Sequence, residues 1–172
     1  GVMILSAYLS SVFGKTAKVP LTTNITFEQS YGGVDGDSAS MAEFCAVVSA
    51  FSKQPNRQDI AITGSMNQFG ESQPIGGVTE KIEGFFDVCA IKGLSNTQGV
   101  IIPRSNVHNL MLRSDIVKAV EKGEFNIWAI EHVTEAIELF TGKPAGEPSD
   151  EGSYPIDTIF GIAQAKLNAL RK

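Results

Sequence analysis

Val34-Asp-Gly-Asp-Ser-Ala-Ser-Met-Ala-Glu43 sets a glycine-bearing loop directly against an apolar periodic segment. The periodicity predicts a helix over Ser40 to Lys53, with Met41, Phe44, Cys45, Val48 and Phe51 on one side. Ser38 therefore stands at a helix entry, where unpaired N–H groups and the positive dipole end lie. Such groups can hold the oxyanion of an acyl-transfer reaction. Gly36 and Ala39 leave room beside Ser38 for a substrate backbone. Asp37, Ser38 and Ser40 are also ordinary N-cap residues, so the loop by itself fits either capping or catalysis.

Working outward, helices alternate with short strands. Val2 to Phe13 has helical apolar spacing and stops at Gly14. Leu21 to Gln29 alternates, with Thr23, Ile25 and Phe27 on one face, and reads as a strand. Ile60 to Thr63 reads as a strand running into Gly64, and Asn67 to Gly77 as turns. A helix is expected over Val78 to Lys92, with Ile82, Phe85, Phe86 and Cys89 inward and Gly93 ending it. Gly99 to Ile102 is a strand closed by Pro103, and Val107 to Glu121 is helical in one or two pieces. Phe125 to Ile130 is a further strand and Val133 to Phe140 a further helix. Thr141 to Tyr154 is a surface loop, and Pro155 to Leu170 a closing helix with proline in its first turn. This order predicts a layered α/β (α+β) fold in a single domain over residues 1–172: a core to 142, a loop over 143–154 and a terminal helix over 155–172.

The chain has 172 residues, 42% of them hydrophobic and 19% charged, enough for one buried core and unlike a disordered segment. A net charge of -5 argues against nucleic acid or an anionic membrane as the main partner. No apolar run approaches the roughly 18 residues of a membrane span, and no signal peptide is visible. Cys45 and Cys89 lie in apolar helical stretches without CxxC spacing, which fits reduced thiols of a cytoplasmic protein. His108 and His132 are far apart in sequence, so no metal-site spacing exists. Gly1 opens inside an apolar periodic segment without a cap, as expected of a piece of a longer polypeptide.

A serine nucleophile needs a base. Neither histidine has a local signature, and both read as structural or surface residues. Lys81, in Pro74-Ile-Gly-Gly-Val-Thr-Glu-Lys81, falls in the first turn of the Val78 helix. Lysines usually stand at the other end, because the N-terminus is the positive pole. That pole disfavors an ammonium, although a solvated surface lysine is the simpler reading of the pattern. A free lysine amine has a pKa of about 10.4 and must be neutral to accept a proton. Burial against Ile82 and Phe85 is expected to favor the neutral form, with the Thr63 hydroxyl as a neutral partner for the amine.

Several motifs together resemble the proteolytic domain of Lon proteases. Asp35-Gly-Asp-Ser-Ala-Ser40 resembles the family's nucleophile loop in the bacterial and archaeal forms with Gly-Asp-Ser-Ala-Ser. Pro74 to Lys81 resembles its lysine motif, and the 43-residue separation of Ser38 and Lys81 matches its catalytic pair. Ile60-Ala-Ile-Thr-Gly64 resembles the strand whose threonine contacts that lysine. Gly99-Val-Ile-Ile-Pro103 and the segment from Phe125 to Gly142 resemble the closing strands and helix. The likeness covers Gly1 to Gly142, and the remaining tail is similar only to a subset of Lon-like proteins. The family's domain normally begins several strands earlier, so an N-terminal β portion is expected to be missing, as is the AAA+ ATPase module.

The resemblance implies a serine endopeptidase of protein substrates, with Ser38 and Lys81 catalytic, Thr63 supporting, and no metal or organic cofactor in this domain. Asp35 and Asp37 either tune the site or shape its loop. ATP and Mg²⁺ are expected only for the ATPase module of the same full-length chain. The implied assembly is a cytoplasmic hexameric ring acting in ATP-dependent protein degradation. Two other readings stand beside it. One is a phosphate-binding or kinase-like domain of related fold using the Gly32-Gly33…Gly36 loop. The other is a catalytically silent assembly module.

Overall fold

The computed structural model describes residues 2–14, 23–27 and 36–170. Three parallel strands form the center: β1 (Ile60–Ile62), β4 (Gly99–Pro103) and β5 (Asn126–Ile130), in the order β1-β4-β5. Parallel neighbors need long crossovers. The first carries a small antiparallel hairpin, β2 (Ser65–Met66) and β3 (Ser72–Gln73), then helix α3 (Val78–Lys92). The second carries a 3-10 segment at Arg104–Asn109 and helix α4 (Ser114–Glu121).

Strand alternation divides the core into two layers. Val100 and Ile102 point to one side, against Ile82, Phe86 and Cys89 of α3 and Ile116 of α4. Ile101 points to the other, into a larger cluster built by helices α1 (Val2–Phe13), α2 (Ser40–Ser52), α5 (Val133–Thr141) and α6 (Ile159–Leu170). In α1, Leu5, Tyr8, Leu9 and Val12 recur at helical spacing and are buried, while Met3 on the far side is exposed. Phe44 of α2 packs at 4.9 Å from the Tyr8 ring and 6.3 Å from Phe160 of α6. Side chains of this size each contribute about 1.5–3 kcal/mol when fully buried. Both sheet faces are thus covered, as the alternation of helices and strands predicts.

The expected strand over Leu21 to Gln29 is not formed at its described residues, 23–27. Ile25 and Phe27 are exposed there, and among the described residues no strand pairs with this segment to supply the ladder that extended backbone needs. The rest of that span, and the loop residues Gly32, Gly33 and Asp35, lie outside the described residues. The last helix starts at Ile159 and not at Pro155. Thr158 takes over the start: its hydroxyl accepts from the Gly161 N–H at 3.1 Å, while Pro155 closes the preceding turn by accepting from the Thr158 N–H. The helical region after Pro103 is two pieces, beginning earlier than Val107 and broken at Leu110–Arg113. The turn-rich Asn67 to Gly77 segment contains half of the small hairpin.

Cys45 and Cys89 are buried and free. Burial pushes the Cys45 thiol up to about 12 and raises Cys89 as well. Since the thiolate is the reactive species, the folded chain is expected to resist a colorimetric disulfide reagent at pH 8. Two thiols should appear only on unfolding, and rapid modification of Cys45 in the native state would contradict the packing of α2.

Candidate active site

Parallel sheets gather functional groups at the carboxyl ends of their strands. Thr63 follows β1 directly and is tied to the sheet, its N–H donating to the Ile101 carbonyl at 3.1 Å. The next residue, Gly64, joins this strand end to the Ser38 loop. Its N–H donates to the Ser38 carbonyl at 2.9 Å, and its own carbonyl accepts from the Met41 N–H at 3.4 Å. A third link comes from Ser40, whose hydroxyl accepts from the Met66 N–H at 3.0 Å. The start of α2 is thereby fastened to the end of β1 and to β2.

Gly64 has a positive φ of 150°, and a Cβ there would run into the methyl of Met41 and come within 2.9 Å of Pro103 Cγ. Glycine lets the helix start approach this closely. Gly77 plays a comparable part before α3: its φ of 68° turns the chain from the Pro74–Gly76 segment into the helix. The Lys81 N–H then donates to the Gly77 carbonyl at 3.1 Å, in the first turn of α3.

These elements bring three sequence-predicted residues together. The Lys81 Nζ lies 3.2 Å from the Ser38 Oγ and 3.2 Å from the Thr63 Oγ1. Thr63 is buried, Ser38 half-buried and Lys81 exposed. The expectation that Ile82 and Phe85 bury the amine is not met. Ile82 turns into the core beneath β4 and Phe85 packs against the same cluster, whereas Lys81 is exposed. Adjacent helical residues diverge by about 100°, so Ile82 cannot shield Lys81, while Phe85, one turn on, sets its ring 6.4 Å from that of Phe125.

Asp37 is exposed, and its carbonyl accepts from the Ser40 N–H at 2.9 Å. The N-cap of α2 is Ala39, without a side-chain cap bond, and among the described hydrogen bonds no Asp37 or Ser38 side chain caps the helix. His132 is structural. Its Nδ1 accepts from the Thr134 N–H at the start of α5, and its Nε2 lies 2.9 Å from the Phe69 carbonyl. His108 is exposed on the 3-10 segment. Among the described hydrogen bonds neither histidine reaches Ser38. The latches through Gly64 and Ser40 were not foreseen from the sequence, because their partners are distant in the chain. The glycine after a strand-ending threonine was the only local sign.

A family model of the Lon protease (S16) C-terminal proteolytic domain matches residues 31–141. The chain belongs to this family. A putative Lon protease homolog of Escherichia coli (strain K12) is 55% identical over 139 residues, covering 81% of this chain and 24% of the relative. One of Haemophilus influenzae is 41% identical over 167 residues, covering 97% of this chain and 28% of the relative. An archaeal Lon protease of Thermococcus kodakarensis is 37% identical over 116 residues, or 67% of this chain and 16% of the relative. The chain thus spans about a quarter of the length of the two bacterial relatives. The Lon family places it among proteases, and its fold is the mixed α/β arrangement with a parallel sheet. No helix among the described residues is long and apolar enough to cross a membrane.

Proposed function

We propose that this Lon proteolytic domain is a serine endopeptidase in which Ser38 is the nucleophile and Lys81 the general base. The observation that carries the reading is the 3.2 Å approach of the Lys81 amine to the Ser38 hydroxyl. Neutral Lys81 removes the hydroxyl proton as Ser38 Oγ attacks a peptide carbonyl. The resulting ammonium then protonates the departing amine, leaving an ester on Ser38. Water gives its proton to Lys81 as it attacks that ester. The carboxyl product leaves, and the proton returns to Ser38.

Thr63 holds the amine in line, with a contact of 3.2 Å and no charge of its own. The oxyanion draws on the loop before α2. The Ser40 N–H is engaged with Asp37 and the Met41 N–H with Gly64, so the N–H groups of Asp37 and Ser38 are the donors this reading assigns. Lys81 is exposed among the described residues, and a seated substrate supplies the cover that keeps water off the amine. The reaction uses no metal or organic cofactor. Feeding of cytoplasmic protein substrates by an ATPase module of the same full-length polypeptide, within a hexameric ring, completes the proposal.

A serine-directed fluorophosphonate tests the nucleophile. The chain should gain one adduct, mapped by mass spectrometry to Ser38, and Ser38→Ala should gain none. An adduct on another serine, or labeling that survives in Ser38→Ala, would overturn the assignment.

A further inference from the structure

Lys81 depends on where α3 begins, and the segment before that helix has few holds. Gly76 and Gly77 are exposed, and a Cβ on Gly76 would meet nothing within 4 Å. Further back, Ser72 is tied to the end of β5: its N–H donates to the Glu131 carbonyl at 2.8 Å and its hydroxyl to the Ile130 carbonyl at 2.7 Å. Between Ser72 and α3 stands Ile75, and both of its backbone polar groups go to one side chain. The Ile75 N–H donates to Asn106 Oδ1 at 3.0 Å, and Asn106 Nδ2 donates to the Ile75 carbonyl at 2.8 Å.

Asn106 is 4% exposed, on the 3-10 segment that follows β4. A paired amide imitates the exchange of bonds across a sheet, and it fixes the orientation of the peptide as well as its distance. Besides the buried apolar packing of α3 on α4, the other hydrogen bonds described between α3 and the segment after β4 are exposed. The Met111 N–H reaches Thr79 Oγ1 at 3.5 Å, the Arg113 N–H reaches Glu83 at 3.1 Å, and the Arg113 guanidinium pairs with Asp87. Exposed links of this kind hold weakly, whereas a buried bidentate amide leaves polar groups unpaired when it is lost.

We infer that Asn106 is a positioning residue, holding Ile75 so that α3 presents the Lys81 amine to Ser38 and Thr63. The inference rests on the proposed roles of Ser38 and Lys81. The end of β4 thereby sets both partners, through Thr63 on one side and through Asn106 on the other.

The test measures the rate of fluorophosphonate acylation of Ser38 in the full chain, which reports the serine–lysine geometry without peptide binding. Asn106→Asp keeps the acceptor and removes the donor, and Asn106→Ala removes both. Misplacing a catalytic group by about 1 Å can cost roughly 100-fold, so each variant is expected to slow acylation by roughly 10- to 100-fold, Ala more than Asp. Asn126→Ala is the control. Its amide donates to the Asn96 and Gln98 carbonyls near the start of β5, so its loss lowers the melting temperature without slowing acylation. Acylation of folded Asn106→Asp at the wild-type rate would overturn the inference, as would slowing of the same size in Asn126→Ala. Failure of the wild-type chain to label at Ser38 at all would instead refute the nucleophile assignment. Should Asn106→Ala not fold, Asn106→Asp decides alone.

Discussion

Replacing Lys81 by glutamine is expected to reduce kcat for peptide hydrolysis by roughly 10³- to 10⁶-fold, the range seen when a serine nucleophile loses its base. Glutamine keeps the reach and can still hydrogen bond to the Ser38 and Thr63 hydroxyls, but it accepts no proton at neutral pH. Lys81→Arg separates base from charge, because arginine keeps the cation and is not deprotonated in proteins. Both variants should be inactive. Lys81 is exposed, so stability should change by no more than about 0.5 kcal/mol. Thr63→Val removes one orienting bond, worth about 1 kcal/mol, and its loss of activity should be smaller, near fivefold. Steady-state hydrolysis of an unfolded protein substrate, with denaturant melts beside it, gives both numbers. Wild-type turnover in Lys81→Arg would end the general-base role.

Gly64→Ala is expected to damage stability and chemistry together. The added methyl meets the Met41 side chain and the Pro103 ring at a positive φ. Overpacking of this kind costs about 1–3 kcal/mol. The strain falls on the residue that holds the Ser38 carbonyl through its N–H and receives the Met41 N–H, so Ser38 moves relative to Lys81. An accompanying fall of roughly 100-fold in kcat is expected from a displacement near 1 Å. Gly84→Ala supplies the contrast. Gly84 lies within α3 with nothing within 4 Å of a new Cβ, so alanine should stabilize the helix by about 0.5–1 kcal/mol and leave turnover unchanged. Equal behavior of the two alanine variants would show that the approach of α2 to β1 does not constrain the site.

Much of the secondary structure was legible because its signals are local. The 3.6-residue apolar spacing of α2 and α3 and the apolar run of β4 name their own elements. Where the signal required a partner, the reading failed. Thr23, Ile25 and Phe27 alternate as a strand should, yet residues 23–27 form none, because alternation describes a face and not the strand that must bond to it. Pro155 is suited to a first turn, but the Thr158 hydroxyl reaches the Gly161 N–H and starts the helix later. Asn106 carried no pattern that would distinguish a buried clamp from a loop residue.

The sequence by itself determined which chemical groups this Lon domain possesses: a serine at a helix entry, a threonine at a strand end and a lysine in a first turn, with glycines where the backbone must turn sharply. Only the tertiary structure decided that the three meet. Their convergence depends on the crossover from β1 to β4 and on hydrogen bonds linking Ser38 to Gly64, Thr63 to Ile101 and Ile75 to Asn106. It also decided that Lys81 is held by two hydroxyls at 3.2 Å and not by the apolar neighbors on its own helix. The reason is geometric: residue type and spacing are fixed along one strand of chain, whereas distance and solvent exposure are set by what other strands and helices pack against it.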